Sequence, residues 1–302
     1  MRIMFMGTPD FAGHCLEKLL DGEYQVTSVV TRADAKKDRG QKIKFSPVKE
    51  IALSHNLPVY QPINLKEENF KEILEQEQPD LIVVVAYGRI LPSYVLRYPK
   101  YGCINVHASL LPKYRGSAPI QYAVAMGEEE SGVTIMQMNE GLDTGDMLTK
   151  CRVPITSEET GGTLHDKLMV AGGDLLLDTI DRLESLTPIP QNDAESTYAP
   201  PIKKEETLLS FEEEATDVLN KIRGFYPFPG TGFVHKDKVY KVHRAELYSK
   251  EDSKPYGRVV EFSKNKLLIA AKNGIINILE IQPPNKKKMP VADFYNGNKD
   301  SF

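Results

Sequence analysis

Residues 79–88 read PDLIVVVAYG, and this stretch decides the fold. From Leu81 to Ala86 every residue is apolar, so the run has no face suited to water. A strand buried on both faces belongs in the middle of a parallel sheet with helices packed on either side. The flanking sequence supplies those helices. NFKEILEQEQ (69–78) precedes the run with helical spacing, and SAPIQYAVAMGE (117–128) follows it after the strand-like GCINVHA (102–108).

The same alternation continues outward. Upstream, RIMFMG (2–7), YQVTSVVT (24–31) and the short PVYQP (58–62) read as strands. DFAGHCLEKLLDG (10–22) has helical spacing at Phe11, Cys15, Leu16 and Leu19. SPVKEIALSHNL (46–57) offers Ser46 as an N-cap with Pro47 at the first helical position. Downstream, GVTIMQMN (132–139) and GDMLTKCRVPI (145–155) read as strands, and TLHDKLMVAGGDLLLDTIDRL (163–183) as a helix. Strands alternating with helices predict a doubly wound α/β domain over residues 1–188. PIPQNDAESTYAPPIKKE (188–205) then carries four prolines and no periodicity, so 189–205 is expected to be a linker. From 206 to 302 one helix, EEEATDVLNKIRGF (212–225), is followed by short β runs separated by turn signals, which predicts a small β barrel of the oligonucleotide-binding type.

Charge is divided unevenly. From residue 221 onward there are 16 Lys and Arg against 8 Asp and Glu, while the preceding residues carry 22 against 34. Such a split points to a polyanion met by the C-terminal part. Three scattered cysteines, Cys15, Cys103 and Cys151, fit neither a disulfide framework nor a zinc site, and point to a reducing, cytoplasmic compartment. No apolar run approaches the roughly 18 residues of a membrane helix, and neither membrane nor metal is expected.

The first strand ends in MGTPDFAG (6–13), which has only Gly7 and Gly13, with Pro9 where a tight turn would sit. The glycine fingerprint of a nicotinamide-binding turn is missing, which argues against an oxidoreductase. In GCINVHA, Asn105 and His107 stand at i and i+2 and project from one face near the strand's C-terminal end, where open α/β sheets bind ligands. An amide N–H can stabilise an oxyanion without a change of charge, and an imidazole can polarise a carbonyl or move a proton. A polar strand end bonded to neighbouring backbone would read the same on spacing alone. Asp143 lies between Gly141 and Gly145 on a turn; such an aspartate can orient a histidine, or simply form the turn. The apolar loop Ser109, Leu110, Leu111 and Pro112 can wall a flat heteroaromatic ligand, or pack into a core of its own.

With these residues in view, the chain resembles the 10-formyltetrahydrofolate-dependent formyltransferase family. GTPDFA (7–12), SPVK (46–49), VVAYGRILP (84–92), NVHASLLPKYRGSAPIQ (105–121), GLDTGDM (141–147), TYAPPIKKEE (197–206) and RGFYPFPG (223–230) are similar to the family's blocks, in order and nearly throughout the chain. The resemblance implies a Rossmann-like N-terminal domain and a C-terminal barrel of the oligonucleotide-binding type. It implies Asn105, His107 and Asp143 as the catalytic trio, and Ser109, Leu110, Leu111 and Pro112 as the folate-contacting loop. The implied reaction moves a formyl group from 10-formyltetrahydrofolate, the co-substrate, to the α-amino group of methionine on initiator methionyl-tRNA, for translation initiation. A monomer is expected. TRADAKKDRGQKIKFSPVK (31–49), with seven Lys or Arg against two Asp, resembles the family's insertion loop for the acceptor arm. There Arg39 stands at the RNA-contacting arginine and Lys42 is a further candidate; Lys286, Lys287 and Lys288 are the candidates near the C-terminus. Tyr114 stands where Trp is frequent, Ser117 where Ala is common, and Arg89 where the family is usually aliphatic.

Rival readings share the trio. A glycinamide ribonucleotide formyltransferase would be expected to stop near the linker, and the basic 31–49 segment disfavours an amino-sugar nucleotide substrate. A non-catalytic tRNA-binding scaffold would not require an intact Asn105, His107 and Asp143.

Overall fold

The computed structural model describes residues 1–37, 42–299 and 301–302, and of 35–37, 42, 43 and 67 the backbone alone. In chain order the elements are β1 (Ile3–Gly7), α1 (Asp10–Asp21), β2 (Val26–Val30), β3 (Ala35–Lys37), β4 (Lys42–Lys44), α2 (Pro47–Ser54), β5 (Val59–Tyr60), α3 (Glu67–Glu77) and β6 (Leu81–Val85). There follow α4 (Ser93–Leu96), β7 (Cys103–His107), α5 (Pro119–Ala125), β8 (Glu130–Gln137), β9 (Met147–Pro154) and α6 (Gly161–Asp181). The C-terminal part holds α7 (Ala215–Gly224), β10 (Thr231–His235), β11 (Lys238–Ser249), β12 (Val259–Ser263), β13 (Lys266–Ala271), β14 (Gly274–Gln282), β15 (Met289–Pro290) and α8 (Val291–Asn296). The chain divides into two compact units that are not contiguous in sequence. The first is Met1–Ser117, Ser131–Val153 and His165–Ala199; the second is Ala118–Glu130, Pro154–Leu164 and Pro200–Phe302.

The first unit is built on a seven-stranded sheet in the order β5-β2-β1-β6-β7-β8-β9. Strands from β5 to β7 run parallel, and β8 is antiparallel to β7. The apolar run that announced the fold is β6, buried at all five positions and seated between β1 and β7. Its alternate side chains serve two layers. Ile82 and Val84 share a core with Met4 and Met6 of β1 and with Phe70 and Leu74 of α3. α1 packs on the same two strands and buries Cys15, Leu16 and Leu19. Each large apolar side chain so buried contributes about 1.5–3 kcal/mol.

Local signals agree with this packing. Ser46 caps α2 by accepting from the Lys49 N–H at 3.2 Å, with Pro47 at the first helical position. Losing that cap would cost about 1 kcal/mol. The chain runs outward from β1 to β5 and returns to β6, so the order reverses between β1 and β6. Their C-terminal ends meet at Gly7 and Val85. A Cβ on Gly7 would lie 2.6 Å from the Ala12 Cβ and 2.8 Å from the Val85 carbonyl, so only glycine permits this approach. Ligands bind at such reversals.

The second unit has an antiparallel sheet in the order β10-β11-β14-β13-β12, with β15 added on β14. Its core joins Val242, Leu267, Ile269, Ile276 and Ile278 of the sheet to Val218 and Ile222 of α7 and to Val291 and Phe294 of α8. In this unit α5 packs on α7, with the Tyr122 and Phe225 rings edge to face at 6.3 Å. Among the described residues no helix is long and apolar enough to cross a membrane.

Candidate active site

β7 carries both Asn105 and His107 at its C-terminal end, one strand beyond the reversal. Their backbones are pinned opposite Met136 and Thr134 of β8. His107 is buried, and its Nε2 lies 3.0 Å from the Tyr114 carbonyl oxygen. A carbonyl only accepts, so Nε2 carries a proton in this arrangement. The other nitrogen, Nδ1, faces Asp143 Oδ2 at 3.8 Å, longer than a hydrogen bond but within ion-pair range. Asp143 Oδ2 accepts the Gly116 N–H at 2.8 Å. The structure therefore brings His107 and Asp143 together, although 36 positions separate them in sequence. Asn105 is half-buried, and among the described residues its side chain has no hydrogen-bond partner. Its amide is free to meet a ligand.

The Ser109 to Pro112 loop is largely occupied by its own contacts. The Ser109 hydroxyl donates to the Lys113 carbonyl at 2.7 Å, and Thr134 Oγ1 donates to the Ser109 carbonyl at 2.7 Å. Leu111 packs with Met136 and Met147 as a small buried cluster, and its N–H bonds Thr134 Oγ1 at 3.1 Å. Lys150 Nζ reaches the Leu111 carbonyl at 2.6 Å, and burial, with Arg152 nearby, pulls the Lys150 ammonium below its usual pKa. Leu110 and Pro112, both half-buried, retain surface for a ligand.

Arg89 turns its guanidinium onto the Pro62 carbonyl at 2.9 Å. It lines an open groove of about 570 Å³ with Ile63, Lys66, Ile90 and Tyr94. A second groove, of about 510 Å³, is lined by Arg97, Met138, Glu140 and Gly141 and adjoins the Asp143 turn. Among the described residues no cluster of three or more His, Cys, Asp or Glu side chains could hold a metal ion.

Comparison with known proteins bears on what this arrangement does. Residues 1–180 match the family model described as formyl transferase, and residues 201–299 match formyl transferase, C-terminal domain. The chain is 45% identical over 300 residues to the methionyl-tRNA formyltransferase of Alkaliphilus oremlandii, covering 99% of this chain and 97% of the relative. With that of Clostridium novyi it shares 46% over 301 residues, again 99% and 97% of the two chains. The chain belongs to the methionyl-tRNA formyltransferases. Formyl transfer to methionyl-tRNA, the reaction of that family, is accordingly the activity of this chain. Among solved structures, HypX from Aquifex aeolicus aligns with a TM-score of 0.67 at 19% identity, over 99% of this chain and 49% of that one. An N-formyltransferase from Helicobacter canadensis, solved with folinic acid and dTDP-3-aminofucose, aligns at 0.69 with 22% identity, over 91% and 98%. At these identities the likeness speaks for the fold.

The basic residues singled out in the sequence have different fates. Arg39 lies outside the described residues, and of Lys42 the backbone alone is described, in β4, which pairs antiparallel with β3. Lys49 of the same basic segment is spent internally, 2.5 Å from Asp34 and 2.8 Å from Gln61. Lys286 and Lys287 are exposed. Lys288 pairs with Glu280 at 3.2 Å, and that bond holds its ammonium above the usual pKa. Sequence reading missed the roles of Tyr114, whose carbonyl holds His107, and of Gly116 and Gln191, which bond to Asp143. Two of them act through backbone atoms, which leave no side-chain signature.

Proposed function

We propose that Asn105, His107 and Asp143 carry the formyl transfer, with 10-formyltetrahydrofolate as donor and the α-amino group of methionine on initiator tRNA as acceptor. The observation that carries this reading is the His107 ring, with Nε2 tied to a carbonyl and Nδ1 facing a carboxylate across 3.8 Å. That leaves the Nδ1 edge to work. The amine attacks the formyl carbon, a C–N bond forms, and its proton passes to Nδ1. Asp143 stabilises the imidazolium so formed. The partner-free Asn105 amide donates to the tetrahedral oxyanion, an interaction worth about 3 kcal/mol in comparable sites. Collapse breaks the bond to N10, which takes the proton back from Nδ1. Every atom is accounted for by the two substrates and one imidazole.

For the folate, Leu110 and Pro112 supply the apolar wall, while Ser109 and Leu111 hold the loop in shape from within. We assign tRNA contact to the 31–49 segment, including Arg39 and Lys42, and to Lys286 and Lys287, with a lesser share for Lys288 because Glu280 already neutralises it. The domain roles then follow: residues 1–188 carry the chemistry and 206–302 bind tRNA, while of the expected linker 189–205 the part 189–199 belongs to the first unit and 200–205 connect. A monomer in the cytoplasm, where initiator tRNA is charged, fits this scheme. The test is to supply 10-formyltetrahydrofolate with either charged initiator tRNA or an amino-sugar nucleotide. Formylation of the tRNA is expected; formylation of the sugar nucleotide alone would overturn the substrate assignment.

A further inference from the structure

The segment 189–199, proline-flanked and without periodicity, is bound to the site at several points. The Ile189 and Met147 backbones exchange two hydrogen bonds, at 2.8 and 2.9 Å. Thr197 accepts the Arg115 N–H at its carbonyl and the Tyr114 N–H at Oγ1, at 2.8 and 2.9 Å. Ala199 N donates to the Arg115 carbonyl at 2.7 Å. At Gly116, where φ is +115°, a Cβ would stand 2.6 Å from the Ala199 carbonyl. The segment thus grips both the Tyr114–Gly116 turn behind His107 and the start of β9 just after Asp143.

Gln191 sits at the centre of this grip. Its Oε1 accepts from Arg115 Nε at 3.0 Å and from Arg115 Nη2 at 2.9 Å. Its Nε2 donates to the Asp143 carbonyl at 2.9 Å and to the Gly145 carbonyl at 2.7 Å. Guanidinium only donates and carbonyls only accept, so the amide has one orientation, with both lone pairs and both hydrogens used. Arg115 itself is 2% exposed and also pairs with Asp193 at 2.7 Å. The turn it helps hold is under strain, because Asp143 has φ +51°, in the left-handed region that non-glycine residues adopt only at a cost. Such a conformation persists only when its surroundings impose it. Gln191 clamps the carbonyls on both sides of Thr144, and the carboxylate can then face His107.

We infer that Gln191, anchored by the buried Arg115, is a positioning residue that holds the Asp143 turn in register with His107. The proposal rests on the reading of Asp143 given above. Gln191→Glu separates its two tasks. The carboxylate still accepts from Arg115, but it has no hydrogens for the two carbonyls. Single-turnover formylation at saturating protein and folate is measured beside the Kd for tetrahydrofolate and the Tm. For Gln191→Glu the single-turnover rate should fall on the order of tenfold to a hundredfold, as expected of a misplaced catalytic group, with Kd unchanged; the two lost hydrogen bonds lower Tm, so the rate is read per folded site. Gln191→Met, near in size and without hydrogen bonds, should show the same rate loss and serves if the charged variant does not fold. Asn192→Ala, a neighbouring exposed change, should turn over as wild type. A wild-type rate per folded, folate-binding site in both Gln191 variants would overturn the proposal while Asp143→Asn stays slow. A wild-type rate in Asp143→Asn would instead overturn the site reading beneath it.

Discussion

Replacing Asp143 by Asn removes one charge and little else. The side-chain oxygen still accepts the Gly116 N–H that Asp143 Oδ2 accepts at 2.8 Å, so the turn keeps its bond. What is lost is the carboxylate opposite Nδ1. At 3.8 Å, with an effective dielectric near 20, a carboxylate stabilises an adjacent imidazolium by about 4 kcal/mol. The Asp143 side chain is 15% exposed and that of His107 6%, so water screens part of this and about 3 kcal/mol remains. That predicts a fall in kcat of roughly a hundredfold, since each 1.36 kcal/mol is a factor of ten. The KM values should hold, because the charge matters only once the imidazole has taken a proton. Initial rates of methionyl-tRNA formylation at saturating substrates, together with a thermal melt, measure both. A kcat within threefold of wild type would refute the argument. So would a loss confined to KM.

Asn105→Ala should lower kcat about a hundredfold with little change in either KM, read in the same assay, because it deletes an oxyanion donor that has no structural partner. Leu111→Ala, which empties a buried site against Met136 and Met147, should lower stability by about 3 kcal/mol in a denaturant titration. Lys286→Ala and Lys287→Ala should each reduce the salt slope of tRNA binding by about one, whereas Lys288→Ala, paired with Glu280, should change it less. The Tyr122 hydroxyl, with the Lys203 N–H, holds the Glu206 carboxyl below its usual pKa. A depressed carboxyl contributes stability above its unfolded value, near 4.3, and loses it as pH falls through its folded value. Melts of Glu206→Gln against wild type should therefore differ at pH 7 and converge once the pH falls below the carboxyl's folded value.

The fold was legible wherever burial imposes a period. β6 has no polar face because helices cover both sides of it, and α2 shows its cap because Ser46 answers an unpaired backbone N–H. Of the short elements, β5 was legible in PVYQP, whereas α4 and α8 were not. α8 spans six residues, and what makes it a helix is the packing of Val291 and Phe294 in the sheet's core, not a pattern along the chain. Of the site, Asn105 and His107 follow from the two-residue spacing of a strand. Asp143 by itself reads as a turn former, and only the fold places it opposite His107. The segment 189–199 reads as a linker because its pairings, Met147 with Ile189 and Arg115 with Tyr198, are single bridges that generate no alternation.

The bond from His107 Nε2 to the Tyr114 carbonyl has a consequence for proton traffic. A ring tied at one nitrogen to a group that cannot release or accept a proton has no rear exit. Whatever enters at Nδ1 must leave at Nδ1. The hydrogen stripped from the methionine amine would then be the one delivered to the folate, so the transfer from free amine to folate draws no proton from bulk water and returns none. Such a relay needs no chain of water between His107 and solvent.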